Sequence, residues 1–548
     1  MKRKILFLFT LFSALTFAQK NKAWTLVDNS KIDYSQPTRK QELPSQFSIF
    51  EFDYQTFADQ LQNVPKRDHF KGVSNVIVSL PMPNGNLVSY RIVEASSFDE
   101  ELQARFPDIR SFAGNDVENP SNVIRFSLSK ENGISATVRS ASNETTYIID
   151  PYSIDYKKFI VYDRAFSSGR KGKFNCFTID EVKQFGPDTE KSGNVILNNA
   201  DDSILRRFDL ALSCVAEYSN AFGATSAAQV NLVLAQFNAT QTRVNSIYEL
   251  DFNVTMQIIN QSTNVIYYNA ATDPYSDGAA GSGGAWTLEL QNNLNANLTG
   301  LATTLAANNA VYDVGHLYGA SGGGGNAGCI GCVCVSPTAN NQAQKGSAFT
   351  SPSAGLPQGD TFDIDYVAHE FGHQFGGNHT WTHGGNEGTI AQVEPGSGVT
   401  IMGYAGITGA TDVATNSIGV FHAVSIQQIT NNVKTKTCDT EIVIANAVPV
   451  PSAPATLTLP VGTAFKLVGT GTDSNSSDIL SYSWEQMDDN NAVTTYPSTT
   501  ATTGPAFRNF LPSNNGTRLF PRLQDHLANG VNGNTWEKVP TVARTMNF

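Results

Sequence analysis

His369-Glu370-Phe371-Gly372-His373-Gln374-Phe375-Gly376-Gly377-Asn378-His379 is the stretch on which the reading of this 548-residue chain turns. Residues four apart on an α-helix lie about 40° apart around its axis, so the imidazoles of His369 and His373 can converge on one ion. Glu370 sits beside that face. A carboxylate there can hold a metal-bound water and take its proton, while the metal brings the water's pKa down to roughly 7. A third imidazole, from His379, requires the chain to reverse, and Gly376 and Gly377 supply the backbone freedom for that turn. Each piece alone has a plainer origin: a His pair at this spacing is commonly a surface coincidence, and a Gly is commonly a helix cap. With only 8 His in the chain, their conjunction selects zinc, held by His369, His373 and His379 with Glu370 as general base.

The run resembles the signature of the metzincin clan of zinc endopeptidases, H-E-x-x-H-x-x-G-x-x-H followed by a methionine turn. Thr400-Ile401-Met402-Gly403-Tyr404 is the candidate turn. By the resemblance, Met402 forms an apolar floor beneath the histidines without binding the metal. Within the clan the chain is similar to the reprolysins (adamalysin-like enzymes), particularly secreted bacterial members with a long propeptide and an immunoglobulin-like or PKD-like tail. The stretches Tyr312-Asp313-Val314-Gly315-His316 and Phe421-His422-Ala423-Val424-Ser425, with the glycine run 322–325, carry the likeness beyond the motif. Two departures stand out. Thr380 occupies the place after the third His where many reprolysins have Asp, so no role of that Asp carries over. Tyr404 resembles instead the tyrosine of astacins and serralysins, which becomes a fifth zinc ligand and stabilises the oxyanion; the competing reading is a packed tyrosine with a hydrogen-bonded hydroxyl.

Length and composition frame this expectation. At 548 residues the chain exceeds one ordinary core and implies several domains. Its net charge of −12, with 16% charged residues and no Lys/Arg stripe, argues against nucleic acid or an anionic membrane as partner. Lys2, Arg3 and Lys4 precede a largely apolar run over 5–17 and then Thr16-Phe17-Ala18, the pattern of a secretory signal peptide over 1–18 rather than a bilayer-crossing helix. An extracellular or bacterial cell-surface location follows. The six cysteines then point to disulfides, although connectivity stays open, and Cys329, Cys332 and Cys334 read as disulfide partners rather than as a second metal site.

Four parts are expected: the signal peptide 1–18, a β-rich propeptide 19–203, an α/β (α+β) metzincin-like catalytic domain 204–441 with a mixed sheet and active-site helix, and a C-terminal Ig/PKD-like β-sandwich 442–548. Val76-Ile77-Val78-Ser79-Leu80 and Thr146-Tyr147-Ile148-Ile149-Asp150 are typical of the short alternating runs in the second part. Cys176 is the only propeptide cysteine and hence the candidate cysteine switch, a thiolate that occupies the open zinc position; a disulfide partner or an inert buried thiol are the alternatives. Cleavage is expected between the loop 188–203, which contains Lys191, and the dibasic Arg206-Arg207, a pair that can equally begin a strand. Helical periodicity covers 227–250 and a strand 252–259, and Asp363 or Asp365 is expected to cap the active-site helix. Asn326-Ala327-Gly328-Cys329-Ile330-Gly331 reads either as an edge strand that pairs with substrate backbone or as a glycine-rich loop. In the last part, Ser481-Tyr482-Ser483-Trp484-Glu485 is expected to be a central strand with a buried Trp and 542–547 a penultimate strand, so that the sandwich is incomplete and a final strand or sorting domain missing.

The expected function is a secreted zinc endopeptidase acting on protein or peptide substrates. Two rivals stand beside it: a zinc hydrolase of a non-peptide amide, and an adhesin with a structural zinc site, against which Glu370 weighs because structural sites need no general base. Calcium is a second candidate cation with no residue assigned. Oligomeric state and cleavage specificity have no sequence signal.

Overall fold

The computed structural model describes residues 23–28, 30, 32, 43–169, 174–181, 202–300, 304–384, 387, 388, 390–490 and 497–548. The signal-peptide reading over 1–18, Lys191 and most of the expected cleavage loop lie outside the described residues.

Alternating runs in the first third pair into a nine-stranded antiparallel sheet: β1 (Trp24–Leu26), β2 (Ser48–Phe52), β3 (Ile77–Pro81), β4 (Leu87–Glu94), β5 (Arg110–Asp116), β6 (Asn122–Ser129), β7 (Gly133–Ser140), β8 (Thr145–Pro151) and β9 (Lys158–Asp163), in the spatial order 1-2-9-8-7-6-5-4-3. Period-two patterning gives the sheet two unlike faces. Phe112 and Phe126 stack at 4.8 Å on one face, within a cluster that also takes in Trp24, Phe52, Phe57 and Phe159. The other face presents Ser111, Arg125, Thr137 and Arg139.

That polar face lies on the long helix Val230–Phe252, which begins from a 3-10 turn at Ala227–Gln229. The helix is buried on nearly all sides because a second layer covers its apolar side: of the face expected from the helical periodicity, Leu234, Phe237, Val244 and Ile247 enter the second core with Val233, while Val230 packs half-buried against it. Its polar side meets the nine-stranded sheet. Ser111 donates to Asn238 at 2.8 Å, Arg125 and Arg139 pair with Glu249 and Asp251 at 3.1 and 2.9 Å, and Arg243 bridges Asp150 and Asp363 at 2.7 and 2.6 Å. The layers therefore meet through paired charges as well as apolar contact, for Ile49, Ile148, Ile160 and Tyr162 of the first sheet share one buried cluster with Phe208, Val244 and Phe371.

The second sheet is mixed, with the order β10 (Asn175–Cys176), β14 (Gly324–Asn326), β15 (Ala348–Ser351), β13 (Val314–Tyr318), β11 (Ile204–Cys214), β12 (Val254–Ile258). β11 runs parallel to β12 and β13, and β16 (Thr440–Val443) lies antiparallel to its first half. Arg206 and Arg207 thus stand inside β11, paired with both β12 and β16. β14 is antiparallel to β15, and β10 lies parallel to β14 along the outer edge. So the segment around Cys176 leaves the first sheet and becomes an edge strand of the second. Of the stretch 326–331, only Asn326 is in a strand.

The active-site helix begins with π-type turns at Thr361–Val367 and continues as Ala368–Phe375. Contrary to the capping expectation, Asp363 and Asp365 lie inside it and are buried, held by Arg243 at 2.6 Å and Arg164 at 2.6 Å. Charge pairing with distant arginines competes successfully with local capping because both carboxylates are removed from water.

Beyond residue 442 the expected long alternating strands do not appear among the described residues. Two short ladders form instead, β17 (Val450–Ser452) with β19 (Thr470–Thr472) and β18 (Phe465–Val468) with β20 (Thr517–Phe520), around a small core of Leu467, Phe507 and Phe520. Tyr482 makes a single bridge to Ser513, and the half-buried Trp484 donates its indole N–H to the Gly516 carbonyl at 2.8 Å. Among the described residues the 542–547 segment is in no strand, though the Asn547 carbonyl accepts from the Met487 amide at 2.9 Å and Met546 packs on that core.

No helix among the described residues is long and apolar enough to cross a membrane. Cys329 pairs with Cys332 and Cys334 with Cys438, in line with the disulfide reading of the cluster, whereas Cys176 and Cys214 are free and buried.

Candidate metal centre

Helical spacing brings His369 and His373 to one face of Ala368–Phe375. The helix then ends at Gly376, whose φ of 121° admits no ordinary side chain, and the Gly376 and Gly377 amides both return to the Gly372 carbonyl. This reversal carries His379 back: the His373 Nε2 lies 3.2 Å from His369 Nε2 and 3.1 Å from His379 Nε2. All three rings are buried.

Their outer nitrogens fix the tautomer. His369 Nδ1 faces the Ile401 carbonyl at 2.7 Å, His373 Nδ1 the Gly377 carbonyl at 2.8 Å, and His379 Nδ1 the Asp180 carboxylate at 2.9 Å. Carbonyl and carboxylate oxygens only accept, so each Nδ1 carries the hydrogen and each Nε2 presents a lone pair. Burial and the two neighbouring imidazoles hold His373 far below the ordinary histidine range, in keeping with neutral rings. Three lone pairs then face one point. The Tyr404 hydroxyl, 3.0 Å from His379 Nε2, can satisfy only one of them. A cation at that point answers all three, so the donor set fits zinc.

Cys176 completes the group. Its Sγ lies 3.6 Å from His373 Nε2, and one donor atom from each of Cys176, His369, His373 and His379 falls within 4.8 Å of the others. Without a cation, burial and the neighbouring Glu370 push the thiol well above its usual range; a divalent ion reverses that balance. Glu370 is fully buried beside the cluster. Burial pushes its carboxyl up to about 8 against hydrogen bonds to Cys176 and Thr178, and its Oε1 has no hydrogen-bond partner among the described residues.

The expected methionine turn lies against the active-site helix. Met402 is buried under the helix, and a Cβ at Gly372 would stand 2.5 Å from its sulfur, so this glycine admits the floor. The same turn supplies the Ile401 carbonyl to His369.

Three contributors escape sequence reasoning. Glu394 is fully buried; it accepts from Thr380 Oγ1 at 2.6 Å, from the amides of Val399 and Thr400 at 2.7 and 3.1 Å, and from the Thr400 hydroxyl, tying the segment after His379 to the methionine turn. Thr380 thus serves as a donor to a carboxylate that arrives from elsewhere. Gly325 leaves room for Glu370. Asp180 reaches His379 from the segment that follows the Cys176 strand. Each of the three lies outside the eleven-residue histidine motif and is brought to it only by folding.

Residues 205–433 match the model of the metallo-peptidase family M12B, reprolysin-like. The match runs from β11 to the end of helix Ala423–Val433 and includes all three histidines. It supports a reprolysin-like zinc metalloprotease, and the mixed α/β architecture of this reprolysin-like segment fits such a catalytic domain. No curated protein matches the chain.

Proposed function

We propose that the protein is a secreted zinc endopeptidase made as a latent precursor. The observation that carries this reading is the convergence of three neutral imidazoles, tautomers fixed from behind, beside a buried carboxylate with one unpartnered oxygen. His369, His373 and His379 hold the metal. Zinc bound there supplies an acidified water and a Lewis acid toward the scissile carbonyl. Glu370 takes the proton from the attacking water and returns it to the leaving amine. Tyr404, with its phenol raised well above the usual range by burial, stays protonated and donates to the oxyanion. Met402 supports the rings from below.

Latency comes from residues 174–181. Parallel pairing of β10 with β14, extended by the Phe177 amide to the Gly325 carbonyl at 2.9 Å, covers the edge on which substrate backbone would lie, and Cys176 occupies the position that water needs. The nine-stranded sheet over 24–163 belongs to the propeptide, residues 204–441 to the catalytic domain and 442–548 to the tail.

The test uses the full chain and its Cys176→Ala variant on a random peptide library, with and without a chelator. Cleavage by the variant that the chelator abolishes, with the parent silent until processed, is the expected outcome. A Cys176→Ala chain as silent as the parent sinks the latency, and cleavage insensitive to chelation sinks the zinc mechanism.

A further inference from the structure

The geometry points to Asp180 as a metal-site positioning residue lent by the inhibitory strand: while residues 174–181 are in place, the Asp180 carboxylate orients His379 and tightens zinc, so removing the strand loosens the metal as well as uncovering it. This inference rests on the zinc reading above and concerns the regulation of the same site.

Asp180 is placed by more than one bond. Its own amide donates to the Glu387 carbonyl at 2.8 Å, the Glu181 amide donates to Asn378 Oδ1 at 3.0 Å, and the Ile390 amide donates to Asp180 Oδ2 at 3.2 Å. Its Oδ1 accepts from both the backbone amide and the ring Nδ1 of His379, at 3.0 and 2.9 Å. Both partners are wholly buried, with side-chain exposures of 0% each. The other two histidines are oriented by carbonyls of the catalytic segment itself, Ile401 and Gly377. His379 takes its outer partner from the 174–181 segment, and that partner is a side-chain carboxylate rather than a backbone carbonyl. A carboxylate behind a ligating imidazole fixes the ring and raises its basicity toward the metal, and loss of such a partner typically weakens metal binding about 10- to 100-fold.

Two effects of the strand are thereby separated. Cys176 acts on the metal directly, and Asp180 acts through His379.

Zinc affinity is measured by chelator competition on the full chain in a Glu370→Gln background, which removes the proposed general base, with the chain's intact length checked on the same sample. Asp180→Asn keeps the shape and removes the charge; the expected result is a zinc Kd raised about 10-fold or more, with the unfolding midpoint of the zinc-free chain unchanged. The same factor should persist when Cys176→Ala is added, because the carboxylate does not work through the thiol. A Kd within twofold of the parent overturns the inference. So does a loss that disappears in the Cys176→Ala background, which would mean that Asp180 only seats the cysteine, or one matched by destabilisation of the zinc-free chain. If the parent chain itself binds no stoichiometric zinc, the zinc reading falls, and this inference with it.

Discussion

Gly325 faces the Glu370 carboxylate so closely that, on the proposed mechanism, one methyl group should separate metal binding from catalysis. A Cβ built there stands 2.1 Å from Glu370 Oε1, 2.6 Å from Cδ and 2.7 Å from Cγ, so the whole arm of the side chain, rather than its tip, is in the way. Glu370 is fully buried and has little space into which to retreat. The shortest distance is about 1.3 Å inside ordinary van der Waals contact, and a catalytic group displaced by roughly 1 Å commonly costs about 10²-fold in rate. Gly325→Ala should therefore lower kcat about 100-fold, equivalent to about 2.7 kcal/mol of transition-state stabilisation. Zinc content should hold at one ion per chain, because the methyl meets no ligating ring. The assay is peptide hydrolysis by processed enzyme, with metal analysis on the same sample. A Gly325→Ala enzyme that retains its zinc and works within threefold of the parent would refute the placement of Glu370 as the group that handles the proton.

Removing Arg164 leaves Asp365 charged and buried inside the active-site helix. Arg164→Met should cost on the order of 3–5 kcal/mol and release the nine-stranded sheet to proteolysis; a loss under about 1 kcal/mol by denaturant titration would contradict the pairing. Burial pushes the Asp313 carboxyl up to about 6, so folding favours its protonated form. Its contribution to stability is present below about pH 4 and is lost as pH rises through about 6. Asp313→Asn, which can still accept from the Asp209 amide, should then stabilise the chain at pH 8 by about 2 kcal/mol and leave it unchanged at pH 4. Equal effects at both values would show that the carboxyl is not the cause. The Cys334–Cys438 bridge spans 104 residues, and Cys438→Ser should cost about 2–4 kcal/mol in unfolding free energy, a figure that an unchanged midpoint under oxidising conditions would dismiss.

The histidine cluster was legible because its spacing is local: His369 and His373 meet through helix geometry alone, and Gly376 announces the reversal that returns His379. Cys176 was legible as a candidate by elimination, though not its route, since its parallel pairing with Gly324 and Gly325 depends on a glycine-rich strand with little side-chain pattern. What stayed hidden was set by distant partners. Asp363 and Asp365 carry the local signature of helix caps, yet Arg243 and Arg164, 120 and 201 residues away, draw them into the helix interior. Asp180 and Glu394 are ordinary acidic residues until folding places them against His379 and Thr380. In the last hundred residues, alternation around Trp484 suggested a central strand, but its neighbours form only short ladders, and turn-rich sequence between them leaves Tyr482 a single bridge.

X-ray absorption at the zinc edge of the full, unprocessed chain tests the central claim most directly. Three nitrogen neighbours at about 2.0–2.1 Å and one sulfur at about 2.3 Å are the predicted shell, the sulfur vanishing in Cys176→Ala and one nitrogen in His379→Ala. A chain that takes up no stoichiometric zinc, or a shell whose nitrogens survive the loss of His379, would contradict it.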